Sequence, residues 1–345
     1  MLEAFFHAWE RRLASVTKDR MTRPFEWGLD WLPPNGHVDT DPAQAIARWV
    51  AGAMADTDRF FASPPIDEYR LEDAQEYGQR VLRLTFPSAV VTPHSDNNTV
   101  HARYFPSGRR AGRSRRAVLV LPQWNAGEDG HVGLCRLLNR FGMSALRLSL
   151  PYHDRRMPPE LHRADYIVSS NVVRTVQVCR QAVVDARRAL RWLALNGYER
   201  IGILGTSLGS CLSLLTAAHE PLVSAQALNH VSPYFADVVW RGLSTAHVRA
   251  GLEEAIDLDR LRALWMPISP WAYLDRIREK KTLLLYARYD LTFPVDLSRT
   301  LVREFERRAI PHELAVLPCG HYSSGAMPFK YVDGFLLSRF LDRSL

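Results

Sequence analysis

The spacing of apolar positions along the chain changes near residue 80. Residues 1–79 read as mostly helical, broken by the turn Trp31-Leu32-Pro33-Pro34-Asn35-Gly36. From about Val81, short β-rich runs alternate with helical stretches. The runs are Val81–Phe86, Val100–Phe105, Ala117–Leu121, Ala145–Leu150, Ile201–Leu204, Val223–Leu228, Thr282–Ala287 and Glu313–Leu317. Some are solidly apolar, such as Val118-Leu119-Val120-Leu121 and Leu283-Leu284-Leu285, as strands buried on both faces are. Strands alternating with helices predict βαβ units, hence an α/β fold with a mostly parallel sheet flanked by helices. The clearest helix carries Val172, Val176, Cys179, Val183, Ala186, Leu190 and Leu193 on one face, with Gly197 as its stop. Between Ser232 and about Glu279 no strand pattern occurs. Helical, aromatic-rich segments with Trp240, Trp265, Trp271 and Tyr273 stand there instead. An insertion of that length is too long for a plain loop and predicts a cap over a site. The expected organisation is an N-terminal helical extension, 1–79, and an α/β domain, 80–345, with a cap at about 232–279.

Composition excludes several classes. Of 345 residues, 47% are hydrophobic and 23% charged, which a disordered chain would not show. No apolar run is long enough to span a membrane. The N-terminal stretch alternates charged and apolar residues and lacks the apolar core of a secretory signal. The net charge is +7, but only four basic residues are Lys. That skew reads as the genome signature of a GC-rich bacterium. Arg is spread along the chain instead of forming one stripe, which argues against nucleic acid as a partner. The one dense cluster, Arg109, Arg110, Arg113, Arg115 and Arg116, precedes the third strand and reads as a solvated loop. Cys135, Cys179, Cys211 and Cys319 form no CxxC pair, so neither a disulfide framework nor a zinc site is indicated. The set suits a reducing cytoplasm. Cys319, two residues before a histidine, is the one candidate for a reactive thiol.

The chemistry begins at Gly205-Thr206-Ser207-Leu208-Gly209, after a predicted strand and before the helical run Leu212–His219. Gly-x-Ser-x-Gly in that setting is a nucleophile elbow. Ser207 must occupy a sharp, strained strand-to-helix turn, and neighbouring chains crowd the positions two before and two after it. Only a small residue fits there, hence Gly205 and Gly209. No Lys follows the last Gly, so the motif is not a phosphate loop. Asp290 follows an apolar strand 83 residues later, and His321 follows the last strand 31 residues further on. The order Ser, Asp, His places all three at one edge of a parallel sheet, where sites of open α/β sheets lie.

From about Val81 onward the chain resembles the α/β-hydrolase fold superfamily. The tract Leu150-Pro151-Tyr152-His153-Asp154-Arg155-Arg156-Met157-Pro158 resembles a Pro-Tyr-Tyr-Gly-x-Arg-x-Pro stretch of the α/β-hydrolase-domain-eighteen group. Cys319-Gly320-His321-Tyr322 is similar to the closing motif of capped bacterial esterases. The resemblance implies Ser207 as nucleophile, His321 as general base and then acid, and Asp290 as the acid that orients it. It also implies an oxyanion hole with the backbone N–H of Leu208 as one donor. Many superfamily members carry His-Gly after the third strand, where this chain has Leu121-Pro122-Gln123-Trp124-Asn125. Pro122 cannot donate, so the second donor falls to Trp124 or Gln123.

The expected activity is that of a serine hydrolase of the carboxylesterase type. An amidase or peptidase on the same triad is the first alternative, and a non-catalytic binding protein that kept the fold is the second. Asp296 is the alternative acid, placed in the helix Val295–Arg308. His312 precedes the last strand and falls at the wrong edge. His153 and Asp154 follow the fourth strand at the active-site edge and are candidate substrate contacts, as is Trp271 from the cap. His230, on the same edge, reads as structural. An apolar cap predicts a small-molecule ester with an apolar group. Phe5, Phe6 and Trp9 offer an apolar face that would cover a cap or permit a homodimer. No metal constellation occurs and no cofactor is implied.

Overall fold

A computed structural model describes residues 2–33, 41–76, 79–108 and 114–345. Its nine strands are β1 (Arg70–Glu76), β2 (Gln79–Pro87), β3 (Thr99–Phe105), β4 (Arg116–Leu121), β5 (Ser144–Leu148), β6 (Arg200–Thr206), β7 (Val223–Asn229), β8 (Lys281–Ala287) and β9 (Glu313–Leu317). They form one sheet in the order β1-β2-β3-β5-β4-β6-β7-β8-β9. Pairings from β5 to β9 are parallel, and β1-β2, β2-β3 and β3-β5 are antiparallel. All eight strands expected from Val81 onward are present.

The helices are α1 (Leu2–Ala14), α2 (Pro42–Ala55), α3 (Thr57–Phe60), α4 (Val132–Arg140), α5 (Val172–Leu195), α6 (Leu208–His219), α7 (Phe235–Arg241), α8 (Ala246–Leu252), α9 (Leu258–Leu264), α10 (Val295–Arg307) and α11 (Phe329–Ser344). Side chains alternate across the buried strands. In β4, Ala117, Leu119 and Leu121 join the core under α5 and α6. Val118 and Val120 join the core on the other face, with Cys135 and Leu138 of α4, Leu337 and Phe340 of α11, and Phe6 of α1. The apolar stripe of α5 is buried, and Gly197 sits at φ +77°, the left-handed stop its sequence predicts.

Two expectations need correction. Residues 1–79 are not helical throughout, since β1 opens the sheet at Arg70 and pairs with β2 along its length. Its sequence, Arg-Leu-Glu-Asp-Ala-Gln-Glu, is charged because it is an edge strand with little to bury. Arg115 and Arg116 are not solvated loop residues. Arg115 lies over the Tyr198 ring, and Arg116 pairs with Asp342 at 2.9 Å. Arg109, Arg110 and Arg113 lie outside the described residues, as do Pro34, Asn35 and Gly36 of the expected turn. Segment 232–279 is strand-free, as expected, and consists of α7, α8, α9 and 3-10 turns. Trp265 and Tyr273 there are core side chains.

Candidate active site

The parallel strands present their C-terminal ends at one edge, and the loops that follow β4, β6, β7, β8 and β9 supply the site. Ser207, directly after β6, has φ 56° and ψ −119°, a strained conformation for a residue with a side chain. The crowding that explains its neighbours is visible. A Cβ on Gly205 would lie 2.1 Å from the Gly209 carbonyl oxygen, and one on Gly209 would lie 2.1 Å from that of Leu121. The Ser207 N–H donates to Asn229 O at 2.7 Å, and Ser210 Oγ donates to His230 O, so the turn is tied to β7. The Ser207 hydroxyl caps nothing, and among the described residues it is not hydrogen-bonded to His321. Both residues line the same cleft, of about 780 Å³. Leu208 is the first residue of α6, so its N–H has no intrahelical acceptor.

His321 Nδ1–H donates to Asp290 Oδ2 at 2.9 Å, and the carboxylate is buried. Asp290 Oδ1 accepts from the N–H groups of Thr292 and Phe293, at 2.8 and 2.7 Å. Burial opposes the Asp290 charge, but His321 and His230 overcome it and hold the carboxyl well below its usual range. Burial likewise disfavours a charged His321. The Asp290 carboxylate, with the more remote charge of Glu10, outweighs burial and raises its pKa. Phe293 lies parallel to the imidazole at 5.4 Å.

Asp296, the alternative acid, is not the carboxylate to which His321 is hydrogen-bonded. It is exposed and forms two hydrogen bonds with Arg241, at 2.9 and 2.8 Å. His312 bonds the Ile310 carbonyl, before β9 and away from the site. Cys319 is fully buried, and burial, aided by nearby carboxylates, pushes its thiol up to about 12; it is no thiolate nucleophile.

His153 and Asp154 stand behind the site and line neither of its cavities. His153 is buried and pushed down to about 4 by burial, hence neutral. Its Nδ1–H donates to Pro151 O, and Nε2 accepts from the Asn125 N–H at 3.0 Å. It therefore braces the loop after β4 that carries Gln123 and Trp124. Asp154 forms a buried pair with Arg147 at 2.6 Å, and Arg147 bonds the carbonyls of Gly127 and Gly130. Trp271 stacks on Tyr234 at 5.2 Å under Arg308 and lines neither cavity. Gln123 and Trp124 line the cleft beside Ser207.

Two contributors go beyond the sequence reading, which took His230 as structural and did not single out Glu10. His230, one residue past β7, also donates from Nδ1 to Asp290 Oδ2, at 3.0 Å, so two imidazoles share one oxygen. Their rings are 4.5 Å apart. These three groups could reach a common cation, with ligand atoms within 4.8 Å, but both Nδ1 atoms are already committed to the carboxylate. The second is Glu10 of α1, fully buried. Oε2 accepts from the Tyr322 N–H at 2.8 Å, and Oε1 accepts from Ser323 N–H and Oγ at 2.9 and 2.8 Å. A Cβ on Gly320 would lie 2.3 Å from Glu10 Cδ, so glycine is what lets the carboxylate approach. Phe6, one turn earlier, stacks on Tyr289 at 4.7 Å, next to Asp290. The N-terminal helix thus props both loops. Glu10 lies 311 residues from His321, and no local pattern marks such a pairing.

Strand order, the strained serine turn and the edge on which these loops meet define the α/β-hydrolase fold, and the chain has that fold. Among solved structures it is similar to an acetyl xylan esterase from Paenibacillus sp. R4, at 15% identity and TM-score 0.62 over 97% of this chain and 99% of that one. An acetyl xylan esterase from Thermoanaerobacterium sp. JW/SL YS485 matches at 13% identity and TM-score 0.58, over 96% and 98%. An acylaminoacyl peptidase from Pyrococcus horikoshii matches at 14% identity and TM-score 0.58 over 81% of this chain. The match spans about half, 49%, of that peptidase. No protein-family model matches the sequence. No curated protein matches it either.

Proposed function

We propose that the chain is a serine hydrolase that cleaves carboxylic esters through an acyl-enzyme on Ser207. The observation that carries this reading is the strained Ser207 sharing a cleft with an imidazole that is hydrogen-bonded to a buried carboxylate. In the reaction, His321 Nε2 takes the hydroxyl proton as Oγ bonds to the ester carbonyl carbon. Asp290 stabilises the imidazolium. The N–H of Leu208, with that of Trp124 or Gln123, receives the oxyanion, a contribution of about 3 kcal/mol per donor. Expulsion of the alcohol consumes the His321 proton, and water repeats the sequence to release the acid. The step requires Ser207 Oγ within hydrogen-bond reach of His321 Nε2, a contact that in such sites often tightens only with substrate bound.

A second, apolar pocket of about 40 Å³ adjoins Ser207 and Leu208 and is lined by Cys211, Phe235, Val239 and Phe293 among others. A space of about 15 Å³ by the same measure holds one water, so this pocket takes an acyl chain of two or three carbons. That reading narrows the apolar group expected of the aromatic-rich insertion to a short one, since Trp265 and Tyr273 there are packed in the core. The four free, buried cysteines fit a reducing cytoplasm. The test is hydrolysis of p-nitrophenyl acetate, butyrate and octanoate, with the matched acetanilide as the amide arm. The expected order is acetate over butyrate over octanoate, with the anilide slowest. Equal rates across chain lengths would remove the acyl-pocket reading, and a faster anilide would favour the amidase alternative.

A further inference from the structure

The large cleft is unlike the small pocket. Arg20, Arg163 and Lys330 line it together with His131, His321 and Asp333. Arg20 lies beyond α1, in the segment that leads away from Glu10, and its Nη2 donates to the Tyr322 hydroxyl at 2.9 Å. Tyr322 follows His321, so this guanidinium is fastened beside the proposed general base.

Charge around Arg20 is not balanced. Asp19 pairs with Arg163 at 2.9 Å, and Asp165 is shared by Arg23 at 3.3 Å and Arg163 at 3.5 Å. Glu10, which reaches the loop carrying Tyr322, is taken up by the Tyr322 and Ser323 N–H groups and the Ser323 hydroxyl, and Arg20 has no share in either aspartate. Among the described residues no carboxylate lies within ion-pairing distance of it. Asp333, the cleft's own carboxyl, is engaged by Asn229 at 2.9 Å and raised by burial to about 7.

Arg20 Nε is buried without a hydrogen-bond partner. Arg163 lies over the Trp124 ring at 5.4 Å, and both line the cleft. Arg163 is itself only 9% exposed. Orphaned buried donors are rare in folded proteins and costly. A guanidinium with an orphaned buried donor and no carboxylate of its own, a second largely buried guanidinium, and a cleft shared with Ser207 form a cradle for anionic oxygen.

We propose that Arg20, with Arg163 beside Trp124, forms a subsite for a carboxylate or phosphate on the leaving-alcohol side of the substrate. This rests on the ester-hydrolase reading for its place in a reaction, but not for its binding. The short acyl group enters the apolar pocket, and the anionic alcohol part occupies the cleft.

The test is titration calorimetry of the full chain, at low salt, with three product-like probes: 4-hydroxybenzoate, 4-hydroxyphenyl phosphate and neutral 4-hydroxybenzamide. One or both anions should bind at least about tenfold more tightly than the amide. The better of the two identifies the group. The preference should shrink as salt rises to about 0.5 M, where charges are screened within a few ångströms. Arg20→Met should abolish it and Arg20→Lys should retain part, with thermal unfolding confirming that both fold. The ratio of kcat/KM for 4-acetoxybenzoate over its methyl ester should fall about tenfold or more in Arg20→Met. Equal binding of anions and amide by the unaltered protein, or an anion preference that survives Arg20→Met, would overturn the subsite. Anion binding without ester turnover would sustain the subsite and sink the hydrolase reading. Turnover without anion preference would do the reverse.

Discussion

At the scale of single residues, the site is a balance of charges held under cover. Asp290 accepts four hydrogen bonds, two from imidazoles and two from backbone, so it stays ionised while buried. His321 must be neutral to act as a base, and Asp290 and Glu10 raise its pKa. Activity is therefore lost as pH falls, and the acid limb of kcat/KM is expected above the ordinary imidazole value of about 6.5. Glu10 is a positioning residue. Glu10→Gln removes one negative charge and one full acceptor from the loop after His321. The limb should then move to lower pH, and kcat should fall about 10- to 100-fold. A pH-rate profile unchanged by that substitution would show Glu10 to be no more than structural packing.

At the scale of elements, much was legible because the physics is local. Strand β4 reads as buried on both faces from four consecutive apolar residues, and α5 reads as a helix from its stripe. Gly205 and Gly209 mark the turn because backbone lies where their side chains would be. Gly209→Ala should destabilise the protein by about 3 kcal/mol or more, read by urea unfolding. What stayed hidden depends on pairing at a distance. His153 and Asp154 sit at the right edge by strand count, yet local sequence does not report which way their side chains turn. Arg156, from the same tract, is fully buried and pairs with Asp185 at 2.8 Å while bonding the Asn97 and Ser149 carbonyls. That tract is therefore a brace between β5 and α5. Asp185→Ala leaves a buried guanidinium without its partner and should cost about 3–5 kcal/mol of stability. In the segment over the site, Val239→Ala should widen the apolar pocket and raise the butyrate-to-acetate rate ratio. Trp271→Ala should leave that ratio unchanged, because Trp271 touches neither cavity.

At the scale of the molecule, the chain closes on itself at the sheet edge that carries the candidate site. Residues at the start of the sequence, Phe6, Glu10 and Arg20, meet Tyr289, Ser323 and Tyr322 near its end. The N-terminal segment, read from sequence as an appendage, is part of the wall of the site. Loosening this clasp should be felt on both sides. Glu10→Ala should speed hydrogen exchange in residues 2–14 and 318–325 together, with little change in β4 and β6. Exchange rising in α1 alone would show that the helix does not hold the histidine loop.

All of this depends on Ser207 being the atom that is acylated. A serine-directed fluorophosphonate, applied to the full chain and followed by mapping of the modified peptide, reads that directly. The account predicts a single adduct on Ser207, slowed strongly by His321→Ala and absent in Ser207→Ala. Labelling that persists in Ser207→Ala, or none in a folded unaltered protein, would contradict it.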